Sequence, residues 1–208
     1  MATRVTDDFV EDGLPVRRSL VQFPIELLAP PGFRPEEPAT WPESAGRMEY
    51  VNGRILYMPP CGVIQQWTSA DVTSLLTAWA RAHPDFCVGG NEAGMKLGRD
   101  VRGADAAVWR RGELGAATAG FARVPPVLAV EVAGREEREG LLRDKARWYL
   151  DAGVEVVWLV LPETREVLVL TRDGETRHGL GQILGAHPAL PGLLPPVVDF
   201  FAQLEQRR

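Results

Sequence analysis

The chain has 208 residues, 45 % of them hydrophobic and 25 % charged, and a formal net charge of −5 from 23 basic and 28 acidic side chains. Those proportions belong to a globular protein with one good core, and the acidic balance excludes a protein that coats nucleic acid through bulk positive charge, leaving room only for a local basic groove. The longest apolar runs, Val127 to Val130 and Val156 to Leu161, are far short of the ~20 residues that span a bilayer, and the polar, acidic N-terminus has no apolar signal core, so no membrane span and a cytoplasmic location are expected.

Residues 1–46 hold seven of the 17 prolines, including Ala29-Pro30-Pro31-Gly32, and read as an extended N-terminal arm with little regular structure. Residues 47–208 read as a single domain. Met48 to Val51 and Arg54 to Met58 flank Asn52-Gly53, a pair that suits a two-residue hairpin because both central positions need positive φ. Val63 to Ala82 repeats apolar side chains at helical spacing through Thr68, Val72, Leu75, Leu76 and Trp79, and His83-Pro84 stops it. Short strands are expected at Phe86–Gly89, Met95–Leu97 and Ala104–Trp109, followed by a Gly/Ala-rich connection over 112–123. Val127 to Ala133 is apolar on both alternating faces, the pattern of a central strand covered on both sides. A second helix is expected over Arg138–Ala152, closed by Gly153, with further strands at Val154–Leu161 and Glu166–Thr171 and a turn at Asp173-Gly174. This order makes an α/β protein with a mixed central sheet.

Two cysteines, Cys61 and Cys87, are too few and too far apart for a metal knuckle or disulfide framework and read as reduced thiols. Only two of the 23 basic residues are lysines, Lys96 and Lys145. Lys145 interrupts the second helix's expected apolar stripe of Leu141, Leu142, Trp148, Tyr149 and Ala152, where it must either snorkel outward or meet a carboxylate. Each of the two preceding apolar strands carries a single acid, Asp105 and Glu131. An unpaired buried carboxylate costs several kcal/mol, so two of them with a lysine suggest a shared cation. Such hard oxygen ligands at a sheet edge suit Mg²⁺, with Mn²⁺ as a substitute, and an ammonium nearby suits metal-assisted phosphodiester hydrolysis. The structural alternative is a buried Lys145–Glu131 pair with Asp105 capping a loop. His83, His178 and His187 show no paired spacing. Arg99, Arg102, Arg110 and Arg111 flank the Asp105 strand and suit either phosphates or solvent.

The hairpin Met48-Glu49-Tyr50-Val51-Asn52-Gly53-Arg54-Ile55-Leu56, the Asp105 strand, Pro125-Pro126-Val127-Leu128-Ala129-Val130-Glu131-Val132, Lys145 with Tyr149-Leu150-Asp151-Ala152-Gly153, and Leu190-Pro191-Gly192-Leu193 together resemble the Uma-two family of endonucleases, in the restriction-endonuclease-like PD-(D/E)XK superfamily. The resemblance covers about residues 45–200. It implies an αβββαβ core with an added β-hairpin, a DNA substrate, Mg²⁺ held by Asp105 and Glu131, and Lys145 as a displaced motif lysine. Glu49 matches a glutamate common in the family's hairpin and joins the catalytic candidates. The chain departs from the family pattern at Ala104, Ala133, Leu141 and Leu161, and a histidine common early in the first helix is replaced by Gln65 or Gln66. The expected function is therefore a Mg²⁺-dependent nuclease acting on DNA as a homodimer, since duplex cleavage needs one site per strand. The alternative is a catalytically degenerate binding or assembly module on the same fold.

Overall fold

The computed structural model describes residues 21–115, 120–135 and 137–205. The first 20 residues of the expected arm, positions 116–119 of the Gly/Ala-rich connection, and Glu136 lie outside the described residues. The elements are β1 (Ile25–Leu27), a 3₁₀ turn (Pro38–Thr40), β2 (Arg47–Val51), β3 (Arg54–Met58), α1 (Val63–Ala82), β4 (Phe86–Leu97), β5 (Asp100–Arg110), β6 (Leu128–Val132), α2 (Glu139–Asp151), β7 (Val156–Leu161), β8 (Glu166–Thr171), β9 (Gly174–His178), a 3₁₀ turn (Val197–Phe201) and α3 (Ala202–Glu205). From α1 to β7 this is the expected αβββαβ order.

The strands form one mixed sheet in the order β1-β3-β2-β5-β6-β7-β8-β9, with β4 paired to β5. The hairpin turns as its sequence requires, with Asn52 at φ 51° and Gly53 at φ 81°. β6 and β7 run parallel, joined by the crossover helix α2. On one face, Val72 and Leu76 of α1 pack with Val130, Trp158, Phe200 and Phe201. On the other, Leu142, Ala146 and Tyr149 of α2 pack with Ala129, Val157 and Leu159. Both faces of β6 are thus covered, which is why its sequence is apolar at every position except Glu131.

Within the described part of the arm, β1 adds a three-residue edge strand to β3 through Ile25↔Tyr57 to Leu27↔Ile55. Three expectations are corrected. The two short strands over 86–97 are one strand, β4, continuous through a bulge between Gly90 and Ala93; the glycines mark the bulge and not a break. The strand bearing Asp105 starts four residues earlier than expected, at Asp100. Finally, the buried stripe of α2 is Leu142, Lys145, Ala146, Tyr149 and Leu150, while Leu141 is partly exposed; this i, i+3, i+4, i+7, i+8 set is one helical face.

Candidate functional site

The site arises where one edge of β5 is divided between two partners. β4 pairs along β5 from Asp100 to Arg110. On the opposite edge β2 pairs only at Val101, and β6 pairs at Ala106 to Val108. Between them, backbone groups of Arg102 to Asp105 have no strand to bond, and buried amides and carbonyls need partners. Side chains take that role. Gly103 N donates to Glu49 Oε1 at 3.3 Å, and Gly103 O accepts from Lys145 Nζ at 2.8 Å. One step along, the Val132 amide donates to Asp105 Oδ2 at 2.7 Å. Extending the β5–β6 register beyond Ala106↔Val130 sets Asp105 across from Glu131.

Lys145 does not snorkel. Its ammonium is 2.7 Å from Glu49 Oε1 and 2.9 Å from Glu131 Oε2 and also donates to Gly103 O, so all three of its protons have acceptors. Tyr149, one turn on along α2, donates its hydroxyl to Glu131 Oε1 at 2.6 Å. The Arg102 guanidinium binds Glu49 Oε2 at 2.8 Å and lies over the Trp148 ring, 5.2 Å from its centroid. Arg47, from the first position of β2, reaches Asp105 Oδ1 at 3.4 Å and Glu92 Oε1 at 3.3 Å. Gln65 Nε2 donates to Val132 O at 2.9 Å, whereas Gln66 turns back to Cys61 O. Asp105, Glu131, Lys145 and Glu49 are therefore brought together, and all four are buried.

Four carboxylates, Glu49, Glu92, Asp105 and Glu131, meet three cations, Arg47, Arg102 and Lys145. The imbalance shows in the proton affinities. Burial raises the Glu131 carboxyl from 4.5 to about 7, and Asp105 and Glu49 push the same way, against Lys145 and Tyr149. Burial would also raise Glu49, but Lys145 and Arg102 outweigh it and hold that carboxyl below its ordinary value. The Glu131 carboxyl thus keeps its proton up to about pH 7, chiefly because it is buried. Among the described residues no group of three or more His, Cys, Asp or Glu side chains is placed to hold a metal ion. The residues that could contribute to a divalent site are Asp105 and Glu131, since one or two carboxylates can suffice where water and substrate phosphate complete the coordination.

A groove of about 710 Å³ opens at Asp105 and runs along the Ser69, Thr73 and Thr77 face of α1, with Glu92 and Cys61 at the same end as Asp105. Of the flanking arginines, Arg110 pairs with Glu155 and Arg111 bonds the carbonyls of Pro84 and Phe86. Sequence reasoning missed Tyr149 as a ligand of Glu131, and missed Arg47 and Glu92 altogether. The usable signal was a lone glutamate in the Gly89-Gly90-Asn91-Glu92-Ala93-Gly94 tract.

Comparison with known proteins agrees with this architecture. A solved structure described as a putative nuclease belonging to DUF820, from Anabaena variabilis ATCC 29413, superposes with a TM-score of 0.70 at 15 % identity, covering 80 % of this chain and 96 % of that one. The likeness establishes a shared restriction-endonuclease-like fold. No curated protein matches. The model of the Uma2 family, described as putative restriction endonuclease, matches residues 35–197, the whole of the sheet from β2 onward with both main helices, and the chain belongs to that family.

Proposed function

We propose that this member of the family is a divalent-metal-dependent nuclease that hydrolyses phosphodiester bonds of DNA, with Asp105 and Glu131 as metal ligands. The observation that carries the reading is geometric: Asp105 lines the open groove and, by the β5–β6 register, stands across from Glu131, to which Lys145 is bound. Mg²⁺, or Mn²⁺ in its place, would supply charge stabilisation for the phosphoryl oxygens and a more acidic bound water. The chain's residues do the rest. Tyr149 fixes one oxygen of Glu131 and leaves the carboxylate oriented across the strand gap. Glu49, held by Arg102, positions the Lys145 ammonium, which lies beside Glu131 where negative charge grows as the phosphate is attacked. Duplex cleavage calls for two such sites, so the proposal includes a homodimer in solution, checked by light scattering across micromolar concentrations; a monomer throughout removes that part. A cytoplasmic location is also part of the reading, and among the described residues no helix is long and apolar enough to cross a membrane.

A second reading, a binding or assembly module on this fold, is favoured by one observation: every proton of Lys145 is taken by Glu49, Glu131 or Gly103. The two readings part at Lys145→Ala. In the nuclease, Mg²⁺-dependent nicking of plasmid DNA falls by orders of magnitude while Mn²⁺ binding persists, because an ammonium is not a metal ligand. In the module, wild type shows no metal-dependent cleavage of single- or double-stranded DNA, and the main loss is about 3–5 kcal/mol of stability from two stranded carboxylates.

A further inference from the structure

Arg47 is the cation of the cluster with donors to spare. Lys145 is saturated, and Arg102 is fixed by Glu49 and Trp148 at short range. Arg47 has five N–H donors, yet its two ionic contacts are long, 3.3 Å to Glu92 and 3.4 Å to Asp105, against 2.7–2.9 Å for the other pairs of the cluster. Its Nε is removed from solvent and makes no well-formed hydrogen bond. The side chain is 19 % exposed, so most of the guanidinium is enclosed by the protein around Glu92 and Asp105.

Its partner is equally unusual. Glu92 sits in the β4 bulge at φ 62°, a left-handed conformation that side chains other than glycine adopt uncommonly, and is 40 % exposed. Bulges recur beside active sites because they re-aim one side chain. Here the bulge sets a partly exposed carboxylate against the Arg47 guanidinium; Glu92 lines the groove with Asp105 and, with Arg47, also lines a small cavity of about 80 Å³ beside Glu49 and Arg102.

Building on the nuclease reading, we infer that Arg47 is the phosphate-holding residue of the site and that Glu92 is an internal anion occupying its place until a phosphodiester enters the groove. A phosphate presents two oxygens to the guanidinium fork, a stronger arrangement than one distant carboxylate oxygen. Asp105 holds the other side of Arg47, so the captured phosphate lies next to the proposed metal ligands. The ligand class is a nucleic-acid backbone phosphate, recognised without reference to base sequence.

The test measures binding of a short fluorescein-labelled DNA oligonucleotide, single-stranded and duplex, with Ca²⁺ replacing Mg²⁺, while Mn²⁺ affinity is followed separately by electron paramagnetic resonance. Arg47→Lys and Arg47→Gln are expected to weaken DNA binding about tenfold, to lower the slope of log affinity against log salt by about one, and to leave Mn²⁺ affinity unchanged. Glu92→Gln is expected to tighten DNA binding about threefold, a gain that misfolding cannot produce. Arg47 variants that keep wild-type affinity and salt slope, in a protein that binds and cleaves DNA, overturn this assignment alone. Weaker DNA binding by Glu92→Gln overturns the role given to Glu92. A wild type that binds neither oligonucleotide overturns the nuclease reading and this inference with it.

Discussion

Glu131 shows how burial and neighbours compete at a single residue. Its folded-state carboxyl, at about 7, lies above the ordinary 4.5, so the native chain holds a proton that the unfolded chain has released between those values. Stability from this group is complete below about 4.5 and is lost as pH rises through 7, by a few kcal/mol in all. Thermal unfolding of the metal-free protein should therefore show a midpoint that falls between pH 5 and 7.5. Glu131→Gln, which keeps the shape of the protonated acid, should flatten that slope; an unchanged slope would mean that another group titrates. Glu49 works in the opposite sense, since Lys145 and Arg102 lower it despite burial, and its contribution is lost as pH falls below the ordinary carboxylate range.

Among elements, the hairpin of β2 and β3 matters most, because it delivers Glu49 and Arg47 to the divided edge of β5. Its entry is tightly constrained. A Cβ at Gly46 would lie 2.2 Å from the Met58 carbonyl oxygen and 2.5 Å from the Tyr57 ring, and the carbonyl belongs to the ladder Arg47↔Met58 and cannot yield cheaply. Gly46→Ala should cost about 1–3 kcal/mol, read as a drop of several degrees in the calorimetric midpoint. Gly185→Ala, where nothing lies within 4 Å, is the matched control and should leave the midpoint in place. Equal midpoints for the two variants would show that the hairpin entry adjusts without strain.

Across the whole molecule, the sheet ends are guarded. At one edge β9 presents Glu175 and Arg177, which pair with Arg143 and with Glu139 and Glu166, so an exposed strand edge is lined with charge. At the other edge β1 is three residues long and flanked by Pro24 and by Pro30-Pro31. The interior is balanced less completely, with one more carboxylate than cation at the strand gap. A ligand that binds only the native state stabilises it by about 2.7 kcal/mol at a hundred times its dissociation constant. Mn²⁺ should accordingly raise the unfolding midpoint of wild type at pH 7.5 and not that of Asp105→Asn. An equal rise in both would remove Asp105 from the metal site.

Much of the architecture was legible before folding was considered, because it depends on near neighbours in the chain. Asn52-Gly53 dictates its own turn, and α1 runs between the expected residues because its apolar period and His83-Pro84 are local signals. Asp105, Glu131 and Lys145 stood out because each is a charge at a position whose neighbours demand burial. What met them was decided only in three dimensions. Nothing local to Glu131 announces Tyr149 or the two-way sharing of Lys145 with Glu49, contacts that depend on α2 crossing over the place where β2 and β6 part along β5. The Arg47–Glu92 pair joins β2 to a bulge 45 residues away, and a bulge reads in sequence as an interruption of a strand. Periodicity reports which face a side chain occupies; which charges share that space, and whether they balance, depends on long-range packing and on the low dielectric it creates.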